Sequence, residues 1–144
     1  MIADYAYTAG LIDGEGTVGL TTYGRSALRF RFPTVTVPNC TPELVRYLRS
    51  TFGGSVSNKR TYKKHHRPSY IWCLTRHRAL KLLDNVLPYM KEPEKIRRAA
   101  LLVNEYQVLT PRNGRYSSEM MQAKHDFERR FFTTSYARQQ PVSA

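Results

Sequence analysis

The chain is short of acid. Against 23 lysines and arginines it has 11 aspartates and glutamates, a formal net charge of +12 over 144 residues. The deficit is local: between Glu15 and Asp84 there is one acid, Glu43, against 13 basic residues. Such a stretch fits a polyanionic partner, while charge alone also admits a merely basic soluble protein or a membrane-surface binder. Two cysteines, Cys40 and Cys73, exclude a disulfide framework and a cysteine zinc site, and read as thiols in a reducing compartment. No apolar run approaches the ~18 residues of a membrane span. The start, Met1-Ile2-Ala3-Asp4-Tyr5, has an early acid and no basic segment, unlike a secretory signal. The expected location is intracellular, with bacterial or phage cytoplasm and an organelle matrix equally open. No internal repeat is present, and a hydrophobic content of 41% is that of a globular protein. The length predicts a single domain over 1–134, with a flexible tail at 135–144.

The patterning predicts nine elements. A short helix over 3–13 is apolar around most of its circumference, and Gly14 and Gly16 are expected to stop it. Residues 17–23 and 28–37 read as strands, with the phase of Arg29 and Arg31 calling for a bulge near Pro33. Thr41-Pro42-Glu43 starts a second helix that Gly53-Gly54 ends. Strands follow at 55–62 and 69–75, joined by Lys63-Lys64-His65-His66-Arg67-Pro68. Helices are expected over 77–87, from Pro93 to about Leu109, and from a Ser117/Ser118 cap onward. This order gives an α+β fold: a four-stranded antiparallel sheet backed by helices on one face, with extra C-terminal helices. The acid-poor stretch would line the free face.

Thr8-Ala9-Gly10-Leu11-Ile12-Asp13-Gly14-Glu15-Gly16 resembles the nine-residue motif of the LAGLIDADG homing endonucleases, with Thr8 replacing leucine and Gly14 a common alanine. The resemblance continues through Asn39-Cys40-Thr41-Pro42-Glu43-Leu44, Phe52-Gly53-Gly54-Ser55-Val56, Tyr70-Ile71-Trp72 and Pro88-Tyr89-Met90, spanning roughly residues 5–109. It implies the αββαββα fold and a metal-dependent endodeoxyribonuclease of the single-motif, homodimeric type, associated with intron homing. It would hydrolyse both strands of a long, near-palindromic DNA target. A cleavage-deficient DNA-binding protein or an RNA maturase of the same fold is the alternative, and only the latter brings RNA in as a partner.

Small residues on the first helix let a second backbone approach closely. Ala6, Ala9, Gly10 and Asp13 are therefore the expected dimer contacts, and no membrane partner is expected. Two such helices about a two-fold axis would each deliver Glu15 near that axis, where divalent cations relieve carboxylate repulsion. Glu15 and the Gly14 carbonyl are the expected metal ligands. Oxygen-only ligation favours Mg2+, with Mn2+ or Ca2+ able to substitute in binding. Asp13 reads as a helix-end residue rather than a ligand. Lys95-x-Arg97-Arg98-Ala99 resembles the family's Lys-x-x-Gln-Ala stretch without its glutamine. Lys95 is thus the expected catalytic lysine, and Lys91 the alternative. Asn39 is a candidate to hold the catalytic water network, or a turn residue before a helix cap.

A two-stranded ribbon fits the major groove. Alternation assigns Thr21, Tyr23, Arg25, Thr34, Thr36, Ser57, Lys59, Ser69 and Ile71 to the DNA-facing side. Arg29, Arg31, Lys63, Lys64 and Arg67 are added as phosphate or base contacts. His65 and His66 have no acidic neighbours in sequence, which leaves a zinc reading without support.

Overall fold

A computed structural model describes residues 1–22, 30–59 and 67–133. Helix α1 (Ile2–Glu15) leads into strand β1 (Thr17–Thr21) and β2 (Phe32–Asn39); helix α2 (Pro42–Phe52) precedes β3 (Ser55–Lys59) and β4 (Ser69–Thr75). Helix α3 (Arg76–Val86) ends in a 3-10 turn at Leu87–Tyr89. Helix α4 (Pro93–Leu101) passes into a π-helical turn at Leu102–Tyr106, and α5 (Ser118–Phe132) follows. The nine expected elements occur in the expected order. The expected tail beyond Thr134 lies outside the described residues.

The strands form one antiparallel sheet in the order β1-β2-β4-β3. Alternation divides it into two chemically different faces. Val18, Leu20, Val35, Val37, Trp72 and Leu74 are buried on the inner face, on which α1, α2 and α3 pack. Each such side chain contributes about 1.5–3 kcal/mol through burial. Thr17, Thr21, Thr36, Ser57, Lys59, Ser69 and Ile71 take the opposite phase, away from the helices.

Two glycines are required by contact. A Cβ on Gly54, at φ +91°, would lie 2.5 Å from the Cys73 carbonyl oxygen; one on Gly16 would lie 2.7 Å from Ile12 Cα. The first lets the α2–β3 connection close on β4, where Trp72 Nε1 donates to the Gly53 carbonyl at 2.8 Å. The second lets β1 leave α1 at once.

Four features differ from expectation. Helix α1 does not stop at Asp13 but carries Gly14 and Glu15 within it; the Gly16 N–H donates to the Leu11 and Ile12 carbonyls and closes the last turn. No bulge interrupts β2, whose register with β1 is continuous from Phe32 to Thr36; Arg31 precedes the strand. Helix α4 gives way to the π-turn well before Leu109. In α5 the buried stripe through Phe127 and Phe131 includes Lys124, only 1% exposed, a charge that apolar periodicity does not register.

Helix α5 is fastened to α4 by chemistry. Arg97 Nη1 donates to the Arg130 carbonyl at 2.7 Å and Nη2 to that of Phe131 at 2.9 Å, capping two orphan carbonyls at the α5 C-terminus. Arg97 also pairs with Glu94. That guanidinium, and Arg98 with it, hold the largely buried Glu94 carboxyl below the usual carboxylate range.

Candidate active site

Glu15 is the last residue of α1 and is exposed. Asn39, the last residue of β2, donates through Nδ2 to Glu15 Oε2 at 2.6 Å; Asn39 Oδ1 in turn accepts from the Thr41 N–H at 2.7 Å. Asn39 is therefore the turn residue before α2, one of its two expected roles, and it is also a hydrogen-bond partner of Glu15, a contact the sequence did not suggest. Gly14 beside Glu15 is exposed, and a Cβ there would meet nothing within 4 Å.

A helix C-terminus carries partial negative charge and disfavours carboxylates. Helix α1 nevertheless ends with Asp13 and Glu15 and has no basic residue in its last turn. The compensating cation comes from α4. Lys95 Nζ donates to the Ile12 carbonyl at 2.9 Å and the Asp13 carbonyl at 2.8 Å. The Lys95 N–H is itself bound by the Glu92 side chain at 2.6 Å, the N-cap of α4. Asp13 Oδ2 accepts from the Lys91 N–H at 2.7 Å and Oδ1 from that of Glu92 at 3.2 Å. Of the two lysine candidates, Lys95 reaches the end of α1 with its ammonium, whereas Lys91 contributes a main-chain N–H. The Asp13 carboxylate is engaged by its own chain, as a clamp on the α4 approach.

Among the described residues no three or more His, Cys, Asp or Glu side chains cluster as a metal site. One chain thus offers the Glu15 carboxylate and the neighbouring Gly14 carbonyl, hard oxygen donors that suit a hard divalent cation with open positions left for other ligands. The donor set fits Mg2+ and is incomplete without a second copy, a phosphate or water.

The outward stripe of α1 has small residues: Ala3, Ala6, Gly10 and Gly14 are exposed, and a Cβ on Gly10 meets nothing within 4 Å. Ala9 does not belong to this stripe. It is 0% exposed, so it packs the chain's own core and is withdrawn from the expected dimer contacts. The helix is oriented by contacts with α2: the Tyr47 hydroxyl donates to Asp4 Oδ1 at 2.6 Å, Tyr5 stacks on Phe52, and Tyr7, exposed beside the stripe, meets Tyr47 edge-on.

On the outer sheet face Thr21, Ser57 and Lys59 are exposed, and Thr36, Ser69 and Ile71 are half-buried. Arg67, at the approach to β4, is exposed. Thr34 shares the face but is only 7% exposed, its hydroxyl 3.2 Å from that of Thr21 and in a gap left by side-chain-free Gly19; it supports Thr21 rather than meeting a ligand directly. Arg31 is placed elsewhere. Its Nη1 pairs with Glu128 of α5 at 3.1 Å and its guanidinium carbon lies 5.0 Å from the Phe132 ring centre, which explains the phase that the sequence found awkward. Tyr23, Arg25, Arg29, Lys63 and Lys64 lie outside the described residues. Missed by sequence reasoning were the Glu94–Arg97–Arg98 cluster, legible as i, i+3 and i+4 spacing from Glu94, and the cation of Arg76 described below.

No family model and no curated protein matches the sequence. Solved structures match in fold, and they are LAGLIDADG homing endonucleases. I-CvuI, solved in complex with its target in the presence of calcium, matches with a TM-score of 0.66 at 16% identity, over 93% of this chain and 85% of its own. I-TnaI matches at 0.59 and 16%, over 93% and 91%. I-GzeII, in complex with a DNA target, matches at 0.56 and 14%, over 85% of this chain but 43% of its own. The chain has the homing-endonuclease fold.

Proposed function

We propose that this chain, which shares the LAGLIDADG homing-endonuclease fold, is a site-specific double-strand DNA endonuclease acting as a homodimer on a long, near-palindromic target. The observation that carries the reading is Glu15: an exposed carboxylate at the last residue of α1, oriented by Asn39, beside a sheet whose described outer face carries threonine and serine hydroxyls and Lys59 and no acid. The matched structures in complex with DNA, and the match of this chain to less than half of I-GzeII, support DNA as partner and two copies as the working unit.

Each part of the chain has a task in this reading. The open stripe of Ala6 and Gly10 packs against its counterpart and brings two Glu15 carboxylates to one axis. Glu15 and the Gly14 carbonyl would hold Mg2+, with Ca2+ or Mn2+ in its place for binding; when bound, the cation supplies electrostatic stabilisation of the attacking and leaving oxygens. Asn39 fixes which Glu15 oxygen faces that position. Lys95 holds positive charge at the α1 terminus, where charge on a transferring phosphoryl group is to be stabilised. Thr21, Thr36, Ser57, Lys59, Ser69 and Ile71 face the groove, and symmetry makes the target two related half-sites.

The test uses the purified chain and a duplex made by joining the DNA that flanks its gene. Wild type cuts both strands in Mg2+ and not in EDTA, whereas Glu15→Gln binds the same duplex in Ca2+ without cutting it in Mg2+. Cutting by Glu15→Gln at the wild-type rate overturns the assignment.

A further inference from the structure

Arg76 lies at the turn from β4 into α3, in the left-handed backbone region at φ 57°. Its guanidinium carbon is 4.2 Å from the centre of the Phe32 ring. Phe32 opens β2 opposite Thr21, in the phase of Thr34 and Thr36, so its ring belongs to the outer face. The guanidinium lies over this outer-face ring at the end of the sheet away from Asn39, where Arg76 is exposed and also lines a cavity with Tyr106, Thr110, Pro111 and Arg112. Among the described residues no carboxylate pairs with Arg76, whereas Arg31, Arg97 and Arg130 are engaged with Glu128, Glu94 and Glu105.

Stacking uses one flat side of a guanidinium and leaves its in-plane N–H groups free. Their fork matches the O6 and N7 acceptors that guanine alone presents together in the major groove. The ring also fixes the long side chain before a ligand arrives, which removes part of the ordering cost of binding. A glycine would occupy this backbone conformation without strain; the chain has an arginine there, in a conformation that is characteristic of functional positions.

We propose that Arg76 is a specificity-determining residue that reads a guanine edge in the major groove of the duplex lying on the sheet, with Phe32 as its platform. The proposal rests on the DNA reading above. Thr75 pairs with Thr34, five residues along β2 from Asn39; the guanine thus lies about 17 Å along the strand from the catalytic end, in the outer arm of each half-site.

The test is affinity selection from a library of randomised palindromic duplexes in Ca2+, with the full chain as wild type, Arg76→Lys and Phe32→Leu. Arg76→Lys keeps the charge but loses the planar fork. The expected result is a wild-type consensus with guanine at one outer position per half-site. Arg76→Lys relaxes that preference at least about tenfold and leaves the other positions intact; Phe32→Leu relaxes the same position by less. A consensus that Arg76→Lys reproduces position for position overturns the assignment, as does uniform weakening over all sequences, the mark of a phosphate contact. Either result leaves the DNA reading standing. A wild type that enriches no sequence overturns both. Unchanged thermal melting of Arg76→Lys shows that its profile reports recognition and not folding.

Discussion

Lys95 Nζ and the Asp13 carbonyl stand 2.8 Å apart, while the Asp13 carboxylate grips the main chain of Lys91 and Glu92 just before α4 begins. The contact runs in both directions. Asp13 positions the helix that delivers Lys95, and Lys95 neutralises the end of the helix that holds Asp13 and Glu15. Two acids at a helix C-terminus violate the local electrostatic rule, and a cation from a distant segment makes the violation tolerable. Such exceptions to local consistency are characteristic of functional sites.

Removing the clamp tests that coupling. Asp13→Ala leaves two N–H groups to solvent and is expected to cost about 1–2 kcal/mol of stability. Because the α4 approach then loosens, cleavage rate falls more than target affinity. Asp13→Asn retains an acceptor and recovers part of the rate. Urea unfolding gives the stability, and single-turnover cleavage with saturating enzyme gives the rate. A cleavage rate at the wild-type level in folded Asp13→Ala would show that Lys95 needs no positioning by Asp13.

The dimer face is tested at Gly10. A lone chain has space there, since a Cβ meets nothing within 4 Å, and replacing an exposed helical glycine by a better helix former gains up to about 1 kcal/mol. Gly10→Leu is therefore expected to leave the single chain as stable or more so, while its side chain separates two helices in close approach. Sedimentation is expected to show a shift from dimer to monomer, together with loss of cutting. A dimer of wild-type stability in Gly10→Leu excludes α1 as the interface.

Local signals explain what was legible from sequence. Thr41-Pro42-Glu43 and Gly53-Gly54 bracket α2 because capping and chain reversal are decided within a few residues. Alternation from Thr17 to Thr21 gave the outer face because period two needs no partner. What was missed depends on contacts between distant segments. Glycine content suggested an early stop to α1, but Lys95, some 80 positions away, ties the last carbonyls and the turn persists through Glu15. Arg31 looked like a DNA contact until α5 supplied Glu128. Ala6, Ala9 and Gly10 were indistinguishable as small residues, and only packing shows that Ala9 faces inward.

Asn39 acts on Glu15 through a single hydrogen bond, so its removal is expected to disturb orientation and not the ligand itself. Asn39→Ala should slow cleavage about tenfold or more, in keeping with the sensitivity of catalysis to small misplacements, with target affinity in Ca2+ near wild type. Asn39→Gln, with a longer arm to the same carboxylate, should restore part of the rate. If Asn39→Ala cuts at full rate, Glu15 is held well enough without it.

Lys124 gives a prediction in pH. Its ammonium lies 3.8 Å from the centre of the Tyr106 ring and donates to the Thr110 hydroxyl. Burial lowers its pKa from 10.5 to about 8, with nearby Glu128 opposing the fall. Because the folded value is the lower one, the unfolded chain binds more protons between pH 8 and 10.5, and the free energy of unfolding rises with pH across that window. Below pH 8 the burial penalty is present in full, on the order of 3 kcal/mol. Burial raises the pKa of Tyr106 and Tyr116 as well; since unfolded tyrosine ionises near 10, the Lys124 contribution is read most cleanly from pH 7.5 to 9.5. Lys124→Met fills the same space without charge. It is expected to be more stable than wild type at pH 7.5, with the difference narrowing toward pH 9.5 as wild-type Lys124 sheds its proton. Parallel stability curves for the two proteins over that range would mean that the ring and the hydroxyl keep Lys124 protonated, with its pKa close to the ordinary lysine value.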